Sequence, residues 1–227
     1  MLVIVFKNTK NNSTQISNGV KILLFCCLFL LFVSVGRKAD AATISRPMHS
    51  LGLVGYWSFD VGKGGPTAFD MSGNGNKGAL TNMDNAGAWV GGKLGNALDF
   101  DGSDDYVESA NSASLQLSNG TVSAWIKTAN AGSSYRGIIV KQHAYGIFLK
   151  DNLLMTYDWG AVADRNTVVN LADNQWHHVV VVFQSGVSNE TIIYSDGTSR
   201  LTTTITVSNQ NRVVRIGNST NSSDADS

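Results

Sequence analysis

From residue 53 onward, the chain carries its apolar residues in short alternating runs that are bounded by Gly, Asn, Asp and Ser. A period of two is typical of strands that bury one face, and no stretch after residue 42 shows the 3.6-residue apolar period of a helix. The 227 residues include 23 glycines and only 2 prolines, which also favours many turns over long helices. The sequence therefore predicts an all-β domain in which no helix exceeds about two turns.

Ten or more strands of this kind predict a sandwich of two antiparallel sheets. Residues 121–127 alternate apolar and polar side chains, except that Trp125 breaks the polar face. The valine-rich run over residues 176–183 predicts a central strand covered on both faces. The Asp151-Asn152 and Asp196-Gly197 pairs predict tight turns between antiparallel neighbours. Further strands are expected at residues 53–59, 97–100, 106–108, 137–141, 145–150, 153–157, 191–195, 201–207 and 212–216.

The N-terminal part of the chain carries an apolar run of a different kind. Residues 22–35 follow a lysine and precede two more basic residues, and a small-residue segment ends at Ala41. As a helix, these residues would span roughly 21 Å, less than the roughly 30 Å hydrocarbon core of a bilayer. The order predicts a secretory signal peptide cleaved after Ala41, with an uncleaved membrane anchor over residues 20–35 as the alternative.

This interpretation divides the chain into four parts and places the folded part outside the cytoplasm, secreted or at the cell surface. The four parts are a leader with its signal peptide (1–41), a short lead-in (42–51), the folded domain (52–217) and a polar tail (218–227). Loss of residues 1–41 removes five basic residues and one acidic residue from 17 of each, so the net charge becomes about −4. That charge argues against nucleic acid as a partner. Both cysteines, Cys26 and Cys27, are lost as well, which leaves no disulfide.

Several short motifs resemble, in order and spacing, the core motifs of LamG-like jelly-roll domains. They are GLVGYWSFD (52–60), DMSGNGNKG (70–78), GNALDFDG (95–102), DDYV (104–107), VSAWIK (122–127) and WHHV (176–179). The resemblance covers roughly residues 52–217 and implies two antiparallel sheets packed face to face in the concanavalin A-like architecture. It implies a fold more firmly than a function.

The resemblance also implies a closing strand after Gly217, and the sequence stops before such a strand. In the family this strand would pair near the first strand, residues 53–59, so its absence predicts an open edge there and a tendency to aggregate or exchange strands. We expect the chain to be a fragment of a longer surface protein. A family-like closing strand added after Ser227 should raise stability and favour monomers.

Two groups of oxygen-bearing side chains are candidates for Ca²⁺. The resemblance implies a structural calcium ion where the first strand, an early loop and the final strand meet, which assigns Asp60, Asp70 and Asn74 as ligands. Residues 101–105 hold three carboxylates, but the spacing is not that of an EF-hand loop. Both segments are also ordinary turn sequences whose side chains satisfy nearby backbone N–H groups. The turn interpretation is favoured for residues 101–105.

Aromatic residues divide into two groups by their position in the pattern. Three tryptophans lie in the strongest strand segments, where core packing is the favoured role: Trp57, Trp125 and Trp176. Trp159, Tyr135 and Tyr145 lie nearer to loops or strand ends, and Trp159 stands between Asp158 and Gly160, a composition suited to stacking on a sugar ring. These three are the predicted ligand-binding residues, with packing at the rim of the sandwich as the alternative.

The sequence lacks the motifs of the catalytic classes considered. Related glucanases carry a Glu-x-Asp-x-Glu-like cluster on one strand, whereas the only glutamates here are Glu108 and Glu190, far apart. No Gly-x-Ser-x-Gly elbow or His-Glu-x-x-His helix is present. His177 and His178 are adjacent on a predicted strand, so their side chains point to opposite faces and cannot chelate one ion from it. We predict that the protein is not an enzyme.

These observations predict an exported, non-catalytic binding module within a larger cell-surface or secreted protein, with carbohydrate or another surface ligand as its partner. The alternative is a structural or adhesin spacer that binds protein partners, and a glycoside hydrolase or lyase is less favoured. Aromatic side chains lining one concave face would favour glycan binding. A surface covered by Ser, Thr and Asn would favour the spacer.

Overall fold

A computed structural model describes residues 3–6, 52–129 and 132–218 of the chain. These residues form strands and one short 3-10 helix, Ala113–Leu115. The strands are β1 (Val3–Phe6), β2 (Leu53–Trp57), β3 (Thr67–Ala68), β4 (Gly78–Thr81), β5 (Trp89–Gly91), β6 (Asn96–Leu98), β7 (Tyr106–Ser109), β8 (Asn119–Ile126), β9 (Arg136–Lys141), β10 (Tyr145–Lys150), β11 (Leu153–Asp158), β12 (Ala163–Asn170), β13 (His177–Gln184), β14 (Thr191–Ser195), β15 (Thr198–Thr203) and β16 (Val214–Ile216).

Antiparallel pairing assembles the strands into a sandwich of two large sheets. The six-stranded sheet has the order β15-β14-β13-β8-β1-β2, and the eight-stranded sheet has the order β12-β11-β10-β9-β16-β7-β4-β3. Strands β5 and β6 form a separate two-stranded sheet. The prediction of an all-β, two-sheet antiparallel jelly roll is therefore confirmed. In the described part of the chain, no helix has the length and apolar character needed to cross a membrane.

The core lies between the two large sheets and is built from alternate residues of their strands. In β13, Val179, Val181 and Phe183 are buried, while the residues between them are only half-buried. The predicted central position of this strand is right, because β13 lies between β14 and β8. The predicted cover on both faces is wrong: its run of valines reflects the preference of β-branched residues for strands, not burial on two sides.

Two hairpins form where the turn signals predicted them. Asp151 and Asn152 connect β10 to β11 with φ angles of 52° and 65°, and Asp196 and Gly197 connect β14 to β15 with φ angles of 50° and 74°. Two successive residues with positive φ match the right-handed twist of the flanking strands, and Asn, Asp and Gly adopt this conformation at the lowest cost. Both hairpin predictions are confirmed.

The structure contains strands that the pattern did not predict. Strand β12 is polar and largely half-exposed or exposed along its length, with Thr167 as its one buried residue, and pairing with β11 decides its conformation. Strands β3, β4 and β5 are short and were also not predicted. Strand β1 lies between β2 and β8 in the six-stranded sheet, although its residues belong to the predicted leader. The predicted signal segment, the lead-in up to residue 51 and the tail from residue 219 lie outside the described residues.

The outer edge of β2 is closed by a loop that comprises residues 70–76, here called the β2 loop. The backbone N–H of Tyr56 donates to Oδ1 of Asp70 at 2.9 Å, and the N–H of Met71 donates to the carbonyl of Tyr56 at 2.7 Å. The side-chain amide of Asn76 donates to the carbonyl of Val54 at 2.7 Å. With β1 on its other side, β2 does not have the open edge that was expected.

Candidate functional site

The candidate site lies on the face of the eight-stranded sheet that points away from the core. Side chains of β9, β10 and β11 alternate between the main core and a second apolar cluster made of Val140, Phe148 and Met155. Phe148 and Met155 are direct cross-strand partners. A buried apolar cluster on an outward face requires cover from other side chains, and large aromatic residues supply it here.

Three aromatic side chains form this cover, and together we call them the aromatic surface: Tyr135, Tyr157 and Trp159. The rings of Tyr157 and Trp159 lie 5.3 Å apart, edge to face, and the ring of Tyr135 lies 6.1 Å from that of Tyr157. Tyr135 and Trp159 also contact Phe148 from above, at 6.2 and 6.1 Å. Tyr135 is exposed, and Tyr157 and Trp159 are half-buried, so parts of these rings face solvent.

A charged pair borders the aromatic surface. Nζ of Lys150 lies 2.7 Å from Oδ2 of Asp164, and the hydroxyl of Tyr135 donates to Oδ1 of Asp164 at 2.6 Å. The same ammonium group lies 3.1 Å from the Tyr135 hydroxyl and 4.3 Å from the centre of its ring, which adds a cation–π contact. Because Lys150 is on β10 and Asp164 is on β12, the pair reaches across β11.

The protonation states of this group follow from its contacts. Hydrogen bonds with Asp164 and Tyr135 raise the pKa of Lys150, which keeps it cationic. Burial alone would raise the pKa of Asp164, but the hydrogen bonds from Lys150 and Tyr135 outweigh it and lower this pKa. Burial and the Asp164 carboxylate raise the pKa of Tyr135. At neutral pH the site therefore presents a cation, a carboxylate and a neutral phenol beside two half-buried aromatic rings.

Trp159 is held by a turn that is organised around the carboxylate of Asp158. Asp158 is 2% exposed, and its Oδ1 accepts hydrogen bonds from the backbone N–H groups of Gly160, Ala161 and Thr206 at 3.0–3.2 Å. Its other oxygen accepts from Arg165 at 2.7 Å. Burial opposes ionisation, but these hydrogen bonds outweigh it and lower the pKa of Asp158. This network fixes the turn that carries Trp159 at the end of β11.

The predicted ligand-binding residues are thus separated by the structure. Tyr135 and Trp159 belong to one surface, but Tyr145 is fully buried, stacks on Phe183 at 5.3 Å and donates its hydroxyl hydrogen bond to the carbonyl of Leu115 at 2.9 Å. Tyr145 is a core residue, which corrects its predicted role. Its position in β10 places it opposite to the outward residues of that strand, and alternation along residues 145–150 could have indicated this.

The residues predicted to hold calcium lie in two separate hydrogen-bond networks. Oδ1 of Asp60 accepts from the backbone N–H of Asn96 at 2.8 Å, beside Gly95, where a β-carbon would overlap the carboxylate. Asp70 and Asn74 belong to the β2 loop, where the side-chain amide of Asn74 donates to the carbonyl of Leu53.

Asp70 accepts four hydrogen bonds through its two carboxylate oxygens. Oδ1 accepts from the N–H groups of Tyr56 and Ser72, and Oδ2 accepts from the hydroxyl of Ser72 and the N–H of Asn76. A carboxylate surrounded by N–H and O–H donors is arranged as an acceptor for the backbone. These four hydrogen bonds use both carboxylate oxygens of Asp70, whereas a calcium ligand needs an oxygen atom that faces the ion.

The second acidic segment, residues 101–105, is a turn. The carboxylate oxygens of Asp101, Asp104 and Asp105 lie within 4.8 Å of one another. However, Asp105 accepts from the N–H of Asp101 at 3.0 Å, and Asp101 accepts from the N–H of Ser103 at 2.7 Å. The local side-chain-to-backbone hydrogen bonds agree with the turn interpretation that the sequence favoured.

The three strand tryptophans have different environments. Trp57 is fully buried, as predicted. Trp125 is half-buried on the outer face of the six-stranded sheet, where it stacks on His178 at 5.2 Å and lies 5.6 Å from the ammonium group of Lys93. Trp176 is half-buried and lines a cavity. The prediction of core packing is therefore wrong for Trp125 and Trp176. Trp125 stands at a polar position of the alternating pattern, which corresponds to the outward face of β8.

That cavity has a volume of about 380 Å³ and lies at the ends of β8, β9 and β16. Its lining combines apolar side chains with charged ones, among them Leu98, Ile126, Ile138, Asp99, Lys127 and Arg136. Arg136 donates a hydrogen bond to the carbonyl of Gly102, which belongs to the acidic turn. The cavity does not contain the aromatic surface, so the two are distinct features.

The two glutamates do not form a catalytic pair. Glu108 on β7 binds Arg215 at 2.9 Å, and the guanidinium of Arg215 lies 4.5 Å from the centre of the Tyr106 ring. Glu190 lies in the turn before β14, in the other sheet. His177 and His178 also have separate environments, because His177 contacts Asp173 and Asp196 while His178 stacks on Trp125.

Comparison with known proteins identifies the family. The model described as the Concanavalin A-like lectin/glucanases superfamily matches residues 101–226, which is more than half of the chain. The chain belongs to this superfamily. No curated protein shows significant similarity to it.

Three solved structures are similar to this chain at low sequence identity. The binding domain of Paraclostridial Mosquitocidal Protein 1 superposes with a TM-score of 0.52 at 15% identity, covering 68% of this chain and 42% of that one. A tryptophan-to-alanine mutant of HCR/D gives 0.46 at 14% identity, covering 67% and 42%. The carbohydrate binding module CBM66 from Bacillus subtilis gives 0.35 at 15% identity, covering 57% and 83%. The chain spans less than half the length of the first of these structures.

Proposed function

We propose that this chain is a non-catalytic carbohydrate-binding module that recognises its ligand with the outer face of the eight-stranded sheet. The carrying observation is the aromatic surface of Tyr135, Tyr157 and Trp159 beside the Lys150–Asp164 pair. We further propose that the protein is exported and works as one module of a larger cell-surface or secreted protein.

Sugar rings present two kinds of surface, and this site offers a partner for each. The C–H face of a pyranose packs on an aromatic ring, whereas its hydroxyl groups exchange hydrogen bonds with charged and amide side chains. The exposed ring of Tyr135 supplies the first, and the Lys150 ammonium and Asp164 carboxylate supply the second. The mixed site therefore favours a polar, ring-shaped ligand over a purely apolar one.

Rigid support is the second argument for binding. The rings rest on the buried cluster of Val140, Phe148 and Met155, and the Asp158 network fixes the Trp159 turn. Side chains held in place before the ligand arrives lose less conformational entropy on binding. A spacer domain does not require such a surface, which is why a binding role is preferred to the structural alternative.

Among the described residues, the site has no pair of free carboxylates such as a glycosidase uses. Asp164 is bound to Lys150 and Tyr135, and the buried carboxylate of Asp158 is bound to Arg165. Outside the site, Glu108 is bound to Arg215. Glycoside hydrolysis requires an acid and a base or nucleophile on opposite sides of the scissile bond. The proposal is therefore limited to binding.

A glycan array with the full chain tests the proposal, followed by calorimetric titration of the best ligand. We expect Tyr135→Ala and Trp159→Ala each to weaken binding at least about tenfold, since each removes a stacking ring. Trp125→Ala is the matched control, because it removes a half-buried tryptophan from the outer face of the other sheet. Equal losses in all three variants, or no glycan bound by the unmutated chain, would contradict the proposal.

A further inference from the structure

Strand β1 lies inside the six-stranded sheet and not at its edge. It pairs antiparallel with β2 on one side and with β8 on the other, so both of its edges are used. Val3 is in register with Trp57 and Ala124, and Val5 is in register with Gly55 and Val122. The pairing with β8 is unbroken, whereas the pairing with β2 shifts between Val5 and Phe6.

The described residues of β2 and β8 meet in this sheet only through β1. Neighbouring strands lie about 4.8 Å apart, so a sheet without β1 would leave a gap that fits one strand. Both edges of the gap would then present unpaired N–H and C=O groups, and unpaired strand edges readily accept another strand. Positions 3 and 5 are in register with the buried residues Ala124 and Val122, respectively.

The sequence places this strand in the segment that export would remove. Residues 1–41 form the predicted leader, and cleavage after Ala41 would separate residues 3–6 from the domain. If the leader is removed, the position of β1 in the sheet is empty unless the cleaved segment stays bound or another segment takes its place. Val-Ile-Val-Phe is composed of β-branched and aromatic residues, which prefer the strand conformation.

We propose that the position between β2 and β8 is a strand-acceptor site. Its occupant is an extended segment with the chemistry of residues 3–6, running antiparallel to both neighbours. The chain supplies this segment in cis, and once residues 1–41 are removed the site binds the same kind of segment in trans. This interface is distinct from the glycan-binding surface, which lies on the other sheet, and it recognises its partner through backbone hydrogen bonds as in β-strand addition.

The test uses the full chain, a double variant with Ile4→Pro and Val5→Pro, and a fluorescently labelled peptide of residues 1–8. Proline lacks the backbone N–H and is not tolerated in the middle of a sheet, so the variant should release its own β1. We expect the peptide to bind the variant at least tenfold more tightly than the parent chain. Hydrogen exchange should show that residues 53–57 and 121–124 lose protection in the variant and regain it with the peptide.

A peptide carrying the same two prolines is the matched control and should not bind. If the double variant does not fold, a protease site inserted after Ala41 of the full chain allows cleavage after folding, and the same peptide is then tested on the cleaved protein. Two results overturn the proposal: unchanged protection of residues 121–124 when β1 is disrupted or removed, or a labelled peptide that binds neither the variant nor the cleaved protein.

Discussion

One aspartate with several hydrogen bonds lies in the β2 loop and another borders the aromatic surface, but the two have different partners. Asp70 accepts from three backbone N–H groups and one hydroxyl, and so ties a loop to an edge strand. Asp164 accepts from the side chains of Lys150 and Tyr135. The first aspartate satisfies the protein's own backbone, whereas the second is bound to side chains that are themselves partly exposed to solvent.

This contrast shows why acidic residues in loops are poor guides to function when they are read from sequence. Backbone N–H groups cannot move away without unfolding the loop, so a carboxylate bound to them contributes to stability. Side chains at the surface exchange their partners with solvent at small cost, so a carboxylate bound to them is available for recognition. Four predictions test this distinction, in order of decreasing expected effect.

The largest effect is expected for Asp70→Asn. The substitution keeps the shape of the side chain but removes the negative charge. The NH₂ group of the new asparagine would also face the backbone N–H of Asn76, which then loses its acceptor. We expect the free energy of unfolding to fall by roughly 3 kcal/mol, as measured by urea denaturation, because charge-assisted hydrogen bonds are lost in a partly buried site. Glycan affinity should not change. A stable variant with impaired binding would reverse the assignment of the two regions.

The opposite profile is expected for Lys150→Met. Methionine keeps most of the apolar length of the side chain but removes the ammonium group that faces Asp164 and Tyr135. Because both charges are partly exposed, the loss in stability should stay below about 1 kcal/mol. Glycan affinity should fall about tenfold, which corresponds to about 1.4 kcal/mol. Calorimetric titration and urea denaturation on the same preparation give both numbers.

Two tyrosines provide a smaller test of the same comparison. Tyr145→Phe removes a buried hydroxyl and leaves the carbonyl of Leu115 without this partner, so we expect a loss of about 1 kcal/mol in stability and no effect on binding. Tyr135→Phe removes a surface hydroxyl and should weaken glycan binding with little effect on stability. Equal effects of the two substitutions on binding would contradict the separation of core and site.

The smallest effect concerns pH and His177. Burial lowers the pKa of His177, but hydrogen bonds to Asp196 and Asp173 outweigh it, so the folded-state pKa lies above the ordinary value of 6.5. The stabilisation is therefore complete below pH 6.5 and is lost as the pH rises through the folded-state pKa. His177 is half-buried but both aspartates are exposed, so solvent screens these interactions, and we expect a decrease of less than about 1 kcal/mol between pH 6 and pH 8.5. His177→Gln should abolish that difference in urea denaturation.

The fold class and most of the strands and turns follow from local patterns of residues along the chain. Alternation of apolar residues reports that a strand buries one face, and Asp196-Gly197 reports a tight turn, because both signals depend on neighbours in the chain. The alternation also placed Trp125 on the polar face of its strand, although its predicted role was core packing. Tyr135 and Trp159 were recognised as candidates because they stand at strand ends.

Contacts between distant segments specify which residues form the site and which strands complete the sheets. Lys150 and Asp164 meet because β10 and β12 flank β11, and no local pattern marks a contact between strands that are not adjacent in the sheet. Tyr157 belongs to the site because of contacts with residues distant in sequence. Tyr145 does not belong to it, because its side chain points into the core. The position of β1 in the six-stranded sheet depends on backbone hydrogen bonds to β2 and β8, and any extended segment can form such bonds. The amino-acid sequence of residues 3–6 therefore specifies this pairing only weakly, and the positions of β2 and β8 determine it.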